Sequence, residues 1–141
     1  MDEWNSAKEK LLSEGYTCVI LNGPTVYTST LRGVKPLVQW LENGTDMKGF
    51  YAADKVVGKA TAFLYVLLGV KAVYANVISQ SALAVLQGNH IEVQYGSLVE
   101  NIVNRKGDGI CPFEQTVMEI GSAAEAYPAI LGKMKEMNIA L

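Results

Sequence analysis

Residues 49–95 decide the fold, and they read GFYAADKVVGKATAFLYVLLGVKAVYANVISQSALAVLQGNHIEVQY. Short β-rich segments alternate here with longer apolar segments that end at glycine, as Gly69 shows. Such alternation implies parallel strands joined by right-handed crossovers. The hydrophobic periodicity predicts five elements, namely strands over 49–53, 71–77 and 91–95 and helices over 55–68 and 79–87.

The flanking segments add a hairpin and further helices. Residues 16–21 and 25–29 are β-rich and are separated by turn residues, which predicts two antiparallel strands. Because a hairpin and βαβ units coexist, the predicted fold is a single α/β domain over residues 1–141, a three-layer α/β/α sandwich with a mixed sheet. The other segments are predicted to be a helix over 2–14, a helix from Gly33 to 43–44, a polar, turn-rich segment over 96–109, a helix from Pro112 to about Ile120 and a helix over 123–137.

The composition restricts the class of protein. The chain has 141 residues, half of them apolar, and a net charge of −2, with the basic residues scattered. A nucleic-acid protein would usually show a basic face, and the most apolar segment, 60–70, is too short to span a bilayer. Two distant cysteines and an acidic N-terminus favour reduced thiols and no signal peptide. We therefore expect a cytoplasmic protein without nucleic-acid or membrane partners; its oligomeric state, including a homo-oligomer, stays open.

Cys111-Pro112 is the first candidate for chemistry. Proline is favoured at the first helical position, which makes Cys111 the N-cap residue. A thiol at that position faces free backbone N–H groups, the setting in which cysteines become reactive. Glu114 occupies the capping-box position, where its charge would oppose a thiolate. The alternative is that the sulfur only caps the helix or packs as a small hydrophobe.

The segment 54–62 is the second candidate. The helix predicted there is apolar nearly all round, and Lys59 is its sole charge after the first turn. A cation near a helix N-terminus is disfavoured by roughly 0.3–1 kcal/mol, so we expect Asp54, Glu114 or a ligand anion close to Lys59. Gly58 would permit the close approach of a ligand or of another element. The alternatives are that Lys59 extends into solvent, or that Lys59 and Asp54 form a structural ion pair.

His90-Ile91-Glu92 matches the H-x-E motif of zinc deaminases. Here, however, these residues begin an alternating strand rather than a helix, and the downstream Cys111-Pro112 does not make the required Pro-Cys-x-x-Cys. One histidine and one usable cysteine cannot supply the three protein ligands of a catalytic zinc site. We expect no metal and no cofactor, and interpret His90 as a surface turn residue.

Two weaker signals complete the set. The segment 104–109 joins Asn104 and Arg105 to two glycines and predicts an anion-binding loop, with a solvated loop as the alternative. Ser79 is expected to cap the helix that it precedes. Helices that follow parallel strands begin at the carboxyl edge of the sheet, where α/β proteins bind ligands. If the Cys111 helix begins there as well, three helix N-termini meet at one anion-binding pocket.

The chain resembles an uncharacterised bacterial family, domain-of-unknown-function family 1893, whose fold is similar to that of the cytidine deaminases. The resemblance covers nearly the whole chain, and it departs from the family pattern only at Thr61 and Phe113. It implies a cytidine-deaminase-like sandwich without the zinc ligands, in a fold whose relatives often handle nucleotides. The motifs that carry it are Asp54-Lys55 with Gly58-Lys59-Ala60, Asn104-Arg105-Lys106-Gly107, and Cys111-Pro112 with Glu114.

Together these features predict a metal-free site that binds a small anionic nucleotide-like metabolite. If the protein is an enzyme, it processes this metabolite with Cys111 as nucleophile or redox thiol. The alternative is a non-catalytic ligand-sensing or protein-interaction domain that kept the fold but not the chemistry, so enzyme activity stays open. The candidate catalytic residues are Cys111, Lys59, Glu114 and Asp54, and the candidate ligand-binding residues are Lys55, Gly58, Ser79, Asn104, Arg105 and Pro112.

Overall fold

The computed structural model describes residues 2–104 and 106–141. This part of the chain forms six helices and five strands. In chain order they are α1 Asp2–Ser13, β1 Cys18–Asn22, β2 Thr25–Ser29, α2 Lys35–Glu42, β3 Tyr51–Val57, α3 Lys59–Leu68, β4 Ala72–Ser79, α4 Gln80–Gly88, β5 Glu92–Val99, α5 Pro112–Val117 and α6 Ala123–Glu136.

The five strands form one mixed sheet in the order β2-β1-β3-β4-β5. Strand β1 pairs antiparallel with both β2 and β3, whereas β3, β4 and β5 run parallel to one another. The parallel strands thus share one carboxyl edge, at which β3 ends with Val57 and β4 ends with Ser79. The predicted combination of a hairpin with βαβ units is confirmed.

Helices cover the sheet on both faces. On one face, Ala7 and Leu11 of α1 pack against Val19, Leu21 and Ala53. The larger core lies on the other face, where α3 is buried along most of its length because it is apolar nearly all round. The predicted three-layer α/β/α arrangement is confirmed. Helix α1 packs mainly against β1 and β3.

The three parallel strands share a kink. Regular pairing between the three strands stops after Asp54, Ala75 and Tyr95 and resumes at Val56, Val77 and Ser97. One residue of each strand is therefore left unpaired, and these neighbouring residues are Lys55, Asn76 and Gly96. A Cβ atom at Gly96 would lie 2.8 Å from the backbone oxygen of Asn76. Only glycine fits at that point, and we call these three residues the three-strand kink.

The direction of the side chains changes at this kink. In β3, Ala52 and Val57 face the same core although they are five residues apart, and in β4 Val73 and Ile78 do the same. Side chains alternate along a regular strand, so residues an odd number apart point to opposite faces. The kink therefore shifts the alternation by one residue, as a β-bulge does.

Two predicted boundaries are wrong. Strand β3 continues through Val57, so α3 begins at Lys59 rather than at Lys55, because β3 pairs with β4 to its end and valines favour strands. Strand β5 continues to Val99, because its pairing with β4 extends through the segment predicted to be turn-rich. Gly96, which indicated a turn in the sequence, instead lies at the three-strand kink.

The smaller differences concern helix ends. Helix α2 begins at Lys35, because Gly33 adopts a left-handed backbone with a φ of 70°, and α5 ends at Val117, before the predicted Ile120. Within the described residues, no helix is both long enough and apolar enough to cross a membrane.

Candidate functional site

A carboxylate from α5 reaches the start of α3. The N-cap residue of α3 is Gly58, which has no side chain to accept the free N–H groups of the first turn. Glu114 takes this role from α5, since its Oε2 accepts a hydrogen bond of 3.3 Å from the backbone N–H of Ala60. Glu114 is only 6% exposed. Two helices distant in sequence are thereby joined by one buried acid.

Gly58 is required for space rather than for its backbone conformation. Its φ of −95° and ψ of 179° are accessible to any residue. A Cβ atom there, however, would lie 2.6 Å from Oε2 of Glu114. The absence of a side chain at Gly58 lets the carboxylate sit against the helix start, and we call Gly58, Lys59, Ser79 and Glu114 the Glu114 cluster.

Lys59 turns its ammonium group toward the end of α5. Its Nζ donates a 3.0 Å hydrogen bond to the carbonyl oxygen of Met118 and lies 5.7 Å from the ring centre of Phe63. Its positive charge also favours the ionised form of Glu114. The expected anion beside Lys59 is therefore Glu114, and the predicted ion pair with Asp54 is wrong because Asp54 is bound elsewhere.

Ser79 completes the Glu114 cluster from the end of β4. As predicted, it caps α4, since its fully buried Oγ accepts a 3.2 Å hydrogen bond from the backbone N–H of Ala82. The hydroxyl of Ser81 lies 3.3 Å away. The ends of β3 and β4 thus bring the starts of α3 and α4 together with Glu114.

Burial dominates the titration of Glu114. It raises the pKa of the carboxyl group, because a charge is costly away from water. The N–H groups of Ala60 and Lys59, the hydroxyl of Ser79 and the ammonium of Lys59 act in the opposite direction. Burial thus disfavours the charged form of Glu114, whereas its hydrogen-bond donors and Lys59 favour that form.

Cys111 is the N-cap residue of α5, as predicted, but its sulfur makes no capping hydrogen bond. The predicted capping box does not form. The backbone N–H of Cys111 donates to the carbonyl oxygen of Ile102, and Glu114 accepts from the start of α3 instead. Cys111 is half-buried against the larger core. Pro112 is the first residue of α5, a helix of only six residues. Cys111 precedes the helix with an extended backbone, at a φ of −51° and a ψ of 134°.

Asp54 belongs to a different group. Its Oδ2 accepts a 2.6 Å hydrogen bond from the hydroxyl of Tyr65, and that hydroxyl lies 3.2 Å from the sulfur of Cys18. Its Oδ1 accepts a 3.3 Å hydrogen bond from the N–H of Val56, next to the three-strand kink. We call Cys18, Asp54 and Tyr65 the Asp54 cluster. The predicted grouping of Asp54 with Cys111 is therefore wrong.

Burial favours the neutral forms of the groups in the Asp54 cluster. Burial raises the pKa of Asp54 to about 7, against the opposing effect of the hydrogen bonds from Tyr65 and Val56. Burial and the charge of Asp54 raise the pKa of the Cys18 thiol well above its ordinary range, and the pKa of Tyr65 is raised in the same way. Cys18 is thus a buried thiol rather than a nucleophile.

The remaining predicted residues do not join either cluster. Lys55 is exposed in the middle of β3, and Asn104 hydrogen-bonds Asp108 within its own loop through both side-chain atoms. Arg105 lies outside the described residues. His90 is exposed with a φ of 61° in the turn before β5, as expected.

The sequence interpretation missed Cys18 and Tyr65. A tyrosine in a helix that is apolar nearly all round is a signal, because a buried hydroxyl needs a hydrogen-bond partner. Its acceptor, Asp54, is grouped with Cys111 in the sequence interpretation, and Cys18 lies 47 residues before Tyr65. Among the residues that the structure describes, no three His, Cys, Asp or Glu side chains are grouped so as to hold a metal ion.

Two surface clefts lie away from both clusters. One lies beside the start of α1, and the other lies where α2 ends. Neither is lined by a residue of the Glu114 cluster. The lining residues are Trp4, Asn5, Tyr51, Lys71, Glu92 and Gln94 in the first cleft and Gln39, Trp40, Glu42, Asn43 and Leu141 in the second.

These features define an α/β protein with a polar cluster at the carboxyl edge of its parallel strands. Residues 6–134 match the family model described as TM1506, a domain of unknown function (DUF1893), so the chain belongs to this family. The fold is similar to the crystal structure of a DUF1893 family protein (TM1506) from Thermotoga maritima, with a TM-score of 0.87 and 25% identity over 94% of this chain and 90% of that chain. No curated protein matches the chain. The predicted family is thereby confirmed.

Proposed function

We propose that the Glu114 cluster binds a small anionic, nucleotide-like metabolite and exchanges a proton with it through Glu114. The observation that carries the proposal is the buried carboxylate of Glu114 on the N–H groups at the start of α3. These N–H groups and the ammonium of Lys59 are the donors that a ligand phosphate or carboxylate would use. Asp54 has no part in this site, because it lies in the other cluster.

The donors at the start of α3 are already bonded to Glu114, and this determines how a ligand anion can bind. Glu114 already accepts from the start of α3, so a second anion can share these donors only when Glu114 takes up a proton or moves away. The pKa of Glu114 is raised by burial, which makes proton uptake the easier route. Anion binding is therefore coupled to protonation, and its affinity increases as the pH falls.

Calorimetry with sulfate tests this coupling, because sulfate keeps its charge over the relevant pH range. We expect the affinity to fall as the pH rises, approaching about tenfold per pH unit once Glu114 is largely ionised. The variant Glu114→Gln should bind with no such dependence, and Glu119→Gln, an exposed residue near the end of α5, should behave as the unmodified protein. Absence of sulfate binding to Glu114→Gln at every pH would overturn the proposal.

Lys59 supplies a second test of the same site. Lys59→Met should weaken sulfate binding by about tenfold or more, since a charge-assisted hydrogen bond contributes about 1.5–3 kcal/mol. Lys55→Met is the matched control, because Lys55 is exposed elsewhere on β3. Equal losses in the two variants would show that sulfate binds through general surface charge.

Cys111, three residues before Glu114 in the sequence, is the candidate nucleophile or redox thiol of the proposal. If it acts chemically, Cys111→Ser abolishes turnover of a nucleotide substrate while sulfate binding persists. Iodoacetamide labelling across pH measures the thiol directly. A profile that follows an ordinary cysteine would remove the nucleophile from the proposal.

The alternative function is a non-catalytic ligand-sensing or protein-interaction domain. One observation favours it, namely that Glu114, Lys59 and Ser79 all have partners within the protein. Tight ligand binding that Cys111→Ser leaves unchanged, together with no turnover, would support this alternative.

The finer classification belongs to the same proposal. We infer a cytidine-deaminase-like fold without the zinc ligands, which the mixed sheet and its helices on both faces support. A cytoplasmic location is supported by the two free cysteines. Fluorescence microscopy of a tagged chain in its own cells tests the location.

A further inference from the structure

The outer edge of β5 has few of the residues that usually block exposed strand edges. Among the described residues, β5 pairs with β4 alone. Its sequence, EVQYGSLV, contains a single charge and neither lysine nor proline, the residues with which natural proteins block such edges. Tyr95 is 44% exposed and Leu98 is 41% exposed. An eight-residue strand of this kind offers its free N–H and C=O groups to another strand.

The three-strand kink determines which side chains of β5 share a face. Before the kink, Val93 packs toward the larger core. After it, Leu98 is in register with Ile78, which is buried in that same core. Paired residues of neighbouring strands point to the same face, so Val93 and Leu98 both face the helix layer. On the opposite face, Gln94 lines the cleft beside α1, and Ser97 precedes Leu98 by one residue.

This arrangement makes β5 self-complementary. In an antiparallel pairing with a two-fold axis at Tyr95-Gly96, Val93 would lie opposite Leu98 and Gln94 opposite Ser97. Each pair then shares a face and a polarity, and the ring of Tyr95 covers the glycine opposite it. In a strand without a kink, Val93 and Leu98 would point to opposite faces of the sheet, because they are five residues apart. This register would then pair side chains that lie on different faces. The kink removes that conflict.

We infer that β5 pairs with β5 of a second copy of this chain, antiparallel about Tyr95-Gly96, so that the two sheets join into one. One pair of opposite charges near the ends of the strand, Lys71 and Glu100, favours this partner. Exposed Lys71 lies beside the start of β5, since its carbonyl oxygen accepts from the N–H of Glu92. Exposed Glu100 follows the last residue of the strand. Antiparallel pairing brings Lys71 of one copy and Glu100 of the other to the same end.

The size of the contact sets the expected affinity. Eight residues span about 27 Å, which is a narrow contact next to the roughly 1,200–2,000 Å² of a stable protein interface. The dimer should therefore be weak, with a dissociation constant in the micromolar range or above. The other sheet edge, β2, has five residues and is the less favourable partner.

Sedimentation velocity from about 1 µM to about 500 µM tests the association. We expect monomer at the lowest concentration and dimer at the highest. Leu98→Lys and Ser97→Lys, one on each face of β5, should each keep the protein monomeric, whereas Val26→Lys on β2 should leave the dimer intact. Circular dichroism and the thermal midpoint establish that the variants are folded. A monomer at every concentration, or a dimer abolished only by Val26→Lys, would overturn the inference.

Cysteine cross-linking tests the register. In a Cys111→Ser background, a mixture of Gln94→Cys and Ser97→Cys should form disulfide-linked dimers much faster than either variant alone, because these residues lie opposite each other only across the proposed axis. Equal rates in the mixture and in the separate variants would contradict this register.

Discussion

The Asp54 cluster and the Glu114 cluster each contain one buried carboxyl group, and they surround it differently. Asp54 meets the hydroxyl of Tyr65 near the thiol of Cys18, two weak acids without positive charge. Glu114 meets backbone N–H groups at a helix start and the ammonium of Lys59. Burial raises the pKa of both carboxyl groups. The difference shows that a buried carboxyl group can be held by a neutral hydroxyl alone, as at Asp54, or by the N–H groups of a helix start with a nearby cation, as at Glu114.

The two thiols should show the largest contrast. Cys111 is half-buried and should react with iodoacetamide in the folded protein, whereas Cys18, which is 2% exposed, should react only when the fold opens. For an ordinary stability of about 5–15 kcal/mol, the rates should differ by at least about a thousandfold. Mass spectrometry of labelled peptides measures both rates, with Cys111→Ser as the control. Similar rates would mean that the Asp54 cluster is open to solvent.

Gly58→Ala tests how closely Glu114 approaches the start of α3. The added methyl group would lie 2.6 Å from Oε2 of Glu114, and overpacking of this kind costs about 1–3 kcal/mol of unfolding free energy. Gly121→Ala, where no atom lies within 4 Å, should cost much less. Urea unfolding measures both variants. In a Glu114→Ala background the cost of Gly58→Ala should largely disappear, and a full cost there would contradict the close approach.

The pH dependence of stability separates the two carboxyl groups. The pKa of Asp54 is raised to about 7 in the folded protein, so its stabilising contribution is present at low pH and is lost as the pH rises through about 7. We expect the protein to be less stable at about pH 8 than at about pH 5 by roughly 2 kcal/mol from this group, after allowance for its partial exposure.

The variant Asp54→Asn should remove most of that slope, and urea unfolding at both pH values measures it. Glu114→Gln should remove a further part in the same direction, because the pKa of Glu114 is also raised. An unchanged slope in Asp54→Asn would show that Asp54 is ionised throughout.

The smallest expected effect is at the helix caps. Ser79 and Ser122 each accept a 3.2 Å hydrogen bond from a backbone N–H at the start of a helix. Replacement by alanine should cost about 1 kcal/mol at the half-buried Ser122. Ser79→Ala should cost more, because Ser79 also favours the charge of Glu114. Thermal unfolding of the two variants compares them, and equal losses would separate Ser79 from the cluster.

Local chemistry made part of this structure predictable. The hairpin, the cap at Ser79, the C-cap at Gly69 and the N-cap position of Cys111 each depend on residues close in sequence. The position of Asp54 does not, because the choice between a helix start and a strand was decided by pairing with β4. The sequence placed Glu114 in the capping box of its own helix, because its actual partner is distant in the chain. Its partner, Ala60, lies 54 residues away.

The kinks of β3, β4 and β5 lie side by side, and this alignment restricts how the sheet can assemble. In strands that alternate uniformly, a slip of two residues keeps every side chain on its face and yields a mispaired sheet that is nearly as good. Here a slip of β4 would place its kink beside a regular part of β3, and Ile78 would lose its position in register with Val57. Mispaired sheets should therefore be less stable than the native one.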